Sequence, residues 1–127
     1  MKLEAAIKNV FPKVLSEPII TDSFIEENES IMEIEGEAEY FKLVPVYMLW
    51  YLKYKDEKLV DMNIVSALAE YGRTKMKENS YLNFMYLCNS EQKRVVTNFL
   101  EWCAKEISTA NKTQIERAVK NWSKENI

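Results

Sequence analysis

At 127 residues the chain is long enough to bury a core without disulfide or metal staples, and its length fits one domain. Apolar residues make up 47% and charged residues 29%, ordinary for a globular protein, and no run of 18 apolar residues offers a membrane-spanning helix. Histidine is absent, which excludes a histidine base, triad or metal ligand from this chain, and two cysteines do not complete a structural zinc site.

Leu3, Ala6, Ile7, Val10 and Phe11 recur at helical spacing, and Pro12 ends that first helix because the residue before a proline is pushed out of the helical region. Glu4 interrupts the apolar part of this N-terminus, so a signal peptide is not expected. Residues 12–22 read as a loop broken by Pro18. Ser23 and Glu26 have capping-box spacing, so a helix is expected from there, with Phe24, Ile25, Ile31 and Met32 on its apolar side and Gly36 as its stop. From Ile31 the letters alternate, which equally fits a short strand.

Tyr40 to Tyr54 is the densest stretch, with six of the 15 aromatics in 15 residues. Aromatics dominate core energetics, and a helix apolar on most sides is a central one. The spacing predicts a core helix with tyrosine hydroxyls at its rim. Pro45 either opens the regular helix near Val44, after a separate turn through Ala38–Leu43, or kinks one longer helix; the first is the expectation.

Asp61 is the expected N-cap of a helix running to Tyr71, with Val65, Leu68 and Ala69 on one face and Gly72 as the stop. Arg73 to Asn79 reads as a basic, polar linker. Tyr81 to Cys88 is a short apolar helix or turn. Asn89 and Gln92 have capping-box spacing, with Ser90 as an alternative cap, ahead of a helix carrying Val96, Phe99, Leu100, Cys103 and Ile107. A last helix holds Ile115, Val119 and Trp122. Sparse glycine and proline complete an all-α reading: a single domain of six or seven short helices round the aromatic-rich helix, with the tryptophans in the core and both thiols reduced and packed.

Charge is unevenly placed. Between Lys13 and Lys42 there is no basic residue, yet the interval holds Glu17, Asp22, Glu26, Glu27, Glu29, Glu33, Glu35, Glu37 and Glu39. Nine of the 20 acids lie here, leaving eleven against 17 bases elsewhere. Such a block is either a solvated face or a surface for a cationic partner, whose approach it would accelerate. Glu26, Glu27, Glu29, Glu33, Glu35, Glu37, Glu39 and the adjoining Tyr40 are the candidate protein-binding residues.

Other chemistries have less to stand on. Glu29, Glu33 and Glu37 would share a helix face that a hard cation could use, but Gly36 interrupts the run and no calcium-loop spacing is present. Two isolated glycines make no phosphate loop, and nothing sets a nucleophile beside a base, so neither catalysis nor a cofactor is expected. A helix–turn–helix can be drawn through 62–86, with Arg73, Lys75, Lys77, Lys93 and Arg94 as phosphate contacts. The chain's acidity, with a pI near 5.2, counts against it.

Tyr40-Phe41-x-Leu43-x-Pro45-x-Tyr47-Met48, followed by Leu52, and Glu91-Gln92-x-x-x-Val96-x-x-Phe99-Leu100-x-Trp102 resemble segments of a group of small bacterial helical proteins. In that group a YxLPxY helix precedes an EQxxxVxxFLxW helix, and the Phe11-Pro12 pair fits the same layout. The resemblance spans about a quarter of the chain, mostly in core letters, and the tryptophan-containing segment of that layout is missing before Tyr40. It implies a helical fold and no catalytic residues. In size and make-up the chain is also similar to the immunity proteins encoded beside bacterial toxins. That likeness implies a cytoplasmic, non-catalytic module, with no cofactor, that neutralises a basic toxin (a nuclease by preference) through the acidic block. The alternatives are a carboxylate-based metal-dependent hydrolase and a nucleic-acid-binding regulator.

Overall fold

Seven α-helices and no strand make up the regular elements among the residues that the computed structural model describes, which are 2–12, 21–31, 40–54, 63–73, 78, 82–107 and 110–124. They are α1 (Lys2–Val10), α2 (Asp22–Glu27), α3 (Tyr40–Tyr54), α4 (Asn63–Arg73), α5 (Phe84–Leu87), α6 (Ser90–Glu106) and α7 (Lys112–Ser123). The all-α reading holds. The loop expected over most of 12–22, the strand-like alternation after Ile31, the Asp61 cap and most of the basic linker lie outside the described residues.

The core is continuous from Ile7 to Trp122, and its aromatic hub is Phe84 on the four-residue α5. Phe84 meets Phe11 beyond α1, Phe41 of α3, Tyr71 of α4 and Trp122 of α7, with ring centroids 5.4–6.1 Å apart. These separations suit aromatic pairs, each of which adds to the area it buries. Helix α3 packs on α1, α2, α4 and α5, while α6 and α7 lie together and reach α1 and α4 respectively. Phe99 of α6 is fully buried, and Trp102 stacks on it at 6.1 Å while remaining half-buried.

Helix α6 begins where the sequence places it. The Asn89 side chain accepts from the Gln92 amide and Gln92 Oε1 accepts from the Asn89 amide, both at 2.8 Å. The buried Gln92 side chain also reaches outside its own helix. Its Nε2 donates to Val10 O at 2.9 Å, tying the end of α1 to the start of α6. Asn111 caps α7 by accepting from the Gln114 amide at 3.1 Å. Both thiols are free and buried; burial pushes the Cys88 thiol up to about 12 and the Cys103 thiol up as well.

Four expectations are corrected. Helix α2 starts from Thr21, whose Oγ1 accepts from the Phe24 amide, so Ser23 sits inside the first turn and is not the cap. That helix ends at Glu27, well before Gly36, because the Asn28 side chain turns back to donate to Phe24 O at 2.9 Å. Ile31 is nevertheless fully buried outside any α-helix.

Helix α3 runs unbroken from Tyr40 with Pro45 inside it, in place of a regular start near Val44. Proline there deletes the amide that would bond to the carbonyl of Phe41, a cost of about 3 kcal/mol in a helix interior. Burial of Leu43, Val44, Tyr47 and Met48 on either side opposes that cost at about 1.5–3 kcal/mol per large side chain.

Gly72 is within α4, which continues to Arg73. Its role is close approach: a Cβ here would stand 3.0 Å from Trp122 Nε1, 3.1 Å from Trp122 Cδ1 and 3.3 Å from Asn121 Cβ. The missing side chain lets the indole reach over α4, where Nε1 donates to Leu68 O at 2.8 Å.

Candidate functional site: the acidic face of α2 and its groove

Helix α2 carries the part of the acidic block that the structure describes. Asp22 stands in its first turn, where the positive end of the helix dipole favours a carboxylate. Ile25 is the buried residue of the helix, packed into the core cluster. Glu26 and Glu27 project from the last turn, Glu29 follows, and all three are exposed. Of the predicted binding residues, the structure therefore brings Glu26, Glu27 and Glu29 to one short segment. Tyr40 opens α3, and its side chain lies outside the described residues together with Glu33, Glu35, Glu37 and Glu39.

Two tyrosines of α3 hold the two ends of α2. Tyr54 Oη donates to Asp22 Oδ2, and Tyr47 Oη donates to Asn28 O. Seven residues along α3 make about 10.5 Å, and the six from Asp22 to Asn28 make about 9 Å at helical rise, so the spans match with the two helices antiparallel. Lys53 Nζ reaches Asp22 Oδ2 at 3.5 Å and lies 4.9 Å from the centroid of the Tyr54 ring, which itself packs on Trp50 at 5.2 Å. Its hydrogen bond with Tyr54 and the charge of Asp22 raise the Lys53 ammonium. Burial pushes the Tyr47 hydroxyl up to about 12.

The sequence places the tyrosine hydroxyls at the rim of the core helix. In the structure Tyr47 is fully buried and Tyr51 is 3% exposed, so neither anchors anything outside the molecule. A buried tyrosine hydroxyl needs a partner, and for Tyr47 the partner is α2. The spacing of Tyr47 and Tyr54, two helical turns apart, is visible in the sequence, whereas their acceptors are 19 and 32 residues away along the chain.

Beside α2 runs a groove of about 290 Å³ between α1, α2 and α3. Ile25, Val46, Leu49, Trp50 and Leu52 give it an apolar floor, and Glu4, Lys8, Asp22 and Lys53 form its rim. Within that rim Lys8 Nζ donates to Glu4 Oε1 at 2.9 Å, and this bond lowers the Glu4 carboxyl. The rim charges are thus paired with one another, while the excess of negative charge lies further along α2.

Among the described residues no three histidine, cysteine, aspartate or glutamate side chains gather to hold a metal ion. Helices α4 and α5 do not form the helix–turn–helix drawn through 62–86, because a second helix of four residues is too short to read a groove. Arg73 pairs with Glu70, and Lys75 and Lys77 lie outside the described residues. Nor is any helix among the described residues long and apolar enough to cross a membrane. No family model, curated protein or solved structure matches the chain.

Proposed function

We propose that the chain is a non-catalytic protein-binding module whose acidic block, from Glu26 to Glu39, receives a basic protein partner. Its most concrete form is a cytoplasmic immunity protein that covers the phosphate-binding surface of a nuclease toxin by presenting carboxylates in place of phosphates. The observation that carries this reading is the position of Glu26 and Glu27. They are exposed in the last turn of α2, which holds no basic side chain, and exposed Glu29 follows. A carboxylate at the C-terminal end of a helix, as Glu27 is, faces the negative end of its dipole, a repulsion that works against stability. A cationic surface relieves that repulsion on docking and is steered to it from a distance.

The test is neutralisation. If the adjacent reading frame encodes a large secreted protein, its C-terminal domain is the partner to use, produced in cells with and without this chain. The expected outcome is survival only when the chain is present. Replacing Glu33, Glu35, Glu37 and Glu39 by Gln should slow association about tenfold at low salt, with the difference shrinking as salt rises. Protection and association equal to those of the parent would remove the acidic block from the binding surface.

A further inference from the structure

We propose that the groove between α1, α2 and α3 is the seat for one apolar side chain of the basic partner, an aliphatic or aromatic residue flanked by lysine or arginine. This rests on the reading of the acidic block as a binding surface, and adds what the partner inserts beside it. The observation behind it is on α3. That central helix buries Leu43, Val44, Tyr47 and Met48, yet Val46, Leu49 and Leu52 stay half-buried along the groove floor. Their spacing of three residues sets them on one ridge of the helix, about 9 Å long. Trp50 backs the floor at 8% exposure.

Size and charge select the occupant. At about 290 Å³ the groove falls just under the roughly 300–1,000 Å³ of small-molecule clefts, and it suits a single side chain better than a cofactor. Its four rim charges, Glu4 with Lys8 and Asp22 with Lys53, cancel, so the groove itself calls for no charged group. The charge lies beside it. Asp22 and Ile25 form the α2 wall, and Glu26, four residues after Asp22, continues that face of the helix beyond the groove; exposed Glu29 follows. A segment that seats an apolar side chain between α2 and α3 brings its neighbouring residues up to these carboxylates, and cations complement them. An apolar anchor in a pocket with a polar surround is how a protein interface concentrates its affinity.

An NMR titration of the full chain at low salt tests it with three end-blocked peptides. The first has one leucine between two pairs of lysines, the second has glycine in place of the leucine, and the third keeps the leucine but has glutamine for every lysine. The first should bind about tenfold more tightly than the second, and should move the methyl resonances of Val46 and Leu49 and the Trp50 indole. It should also bind more tightly than the third. Leu49→Gln should erase the difference between the first two while binding of the glycine peptide persists, with unchanged α6 resonances as the sign that the fold holds. Equal binding of the first two by the parent chain, with shifts confined to α2, overturns the groove as a seat and leaves the acidic surface standing. Equal binding of the first and third overturns the basic partner, and with it the function proposed above. Binding of none of the three overturns both.

Discussion

The surroundings of Phe84 and those of Asp22 are held together by opposite means. Around Phe84, rings from four separate segments close on one another, and the polar groups nearby reach into neighbouring helices, Trp122 to Leu68 O and Gln92 to Val10 O. Around Asp22, a short helix lays Ile25 into the core with Phe24 packed against it, and tyrosine hydroxyls meet its two ends. The first region carries stability. The second presents the exposed carboxylates of Glu26, Glu27 and Glu29 at its surface. Such a division is what a binding module needs, because recognition draws on low-stability elements and the scaffold must not move with them.

The sharpest way to break this contrast is at the hub. Phe84→Ala should cost about 3–5 kcal/mol in urea unfolding, as should Phe99→Ala, a large part of the stability of a domain this size. A loss below about 1 kcal/mol at Phe84 would mean that the hub is not where stability resides.

Alkali should act next. The Cys88 thiol and the Tyr47 hydroxyl both have folded values raised to about 12 from 9.0 and 10.0. The unfolded chain therefore loses these protons first. The stabilisation is complete below pH 9, declines as pH rises above the unfolded values, and is gone above about 12. Unfolding midpoints measured from pH 8 upward should fall steadily over that window. Tyr47→Phe should flatten the part above pH 10.

Gln92→Glu separates the two bonds made by one side chain. It keeps an acceptor for the Asn89 amide and loses the donor to Val10 O, so a cost of about 1–2 kcal/mol is expected, with Gln92→Ala costing more. Gly72→Ala sets a helix-propensity gain of up to about 1 kcal/mol against crowding of a buried indole. Crowding wins because Trp122 is 1% exposed and held by its bond to Leu68, and a net loss of about 1 kcal/mol is expected in the same unfolding assay. A stabilised Gly72→Ala would mean that α7 slides easily on α4.

Local features of this fold are legible in the sequence and long-range ones are not. The capping box of Asn89 and Gln92 spans three residues, and the periodic apolar letters of α6 span the whole helix, so both declare themselves. Phe84 does not, because four residues are too few to show a period, and its importance comes from rings far away in the chain. Gly72 reads as a stop because the same letter serves a C-terminal turn and a close helix approach, and only the position of Trp122 distinguishes them. Pro45 reads as a helix start because the packing that tolerates it mid-helix is tertiary. At the site, the charge of Glu26, Glu27 and Glu29 is plain from composition. Their attachment through Tyr47 and Tyr54 is not, since a tyrosine near a core helix names no acceptor.

The central claim is that the acidic face exists for recognition and opposes stability. Its most direct test needs no partner: the urea stability of the Glu27→Gln, Glu29→Gln double variant at low salt, beside that of the parent. Both side chains are exposed, and neither forms an ion pair among the described residues. The account predicts stability unchanged or raised by up to about 0.5 kcal/mol, with the gain vanishing at high salt. A loss of about 1 kcal/mol or more would show that these carboxylates hold the fold together, and would contradict it.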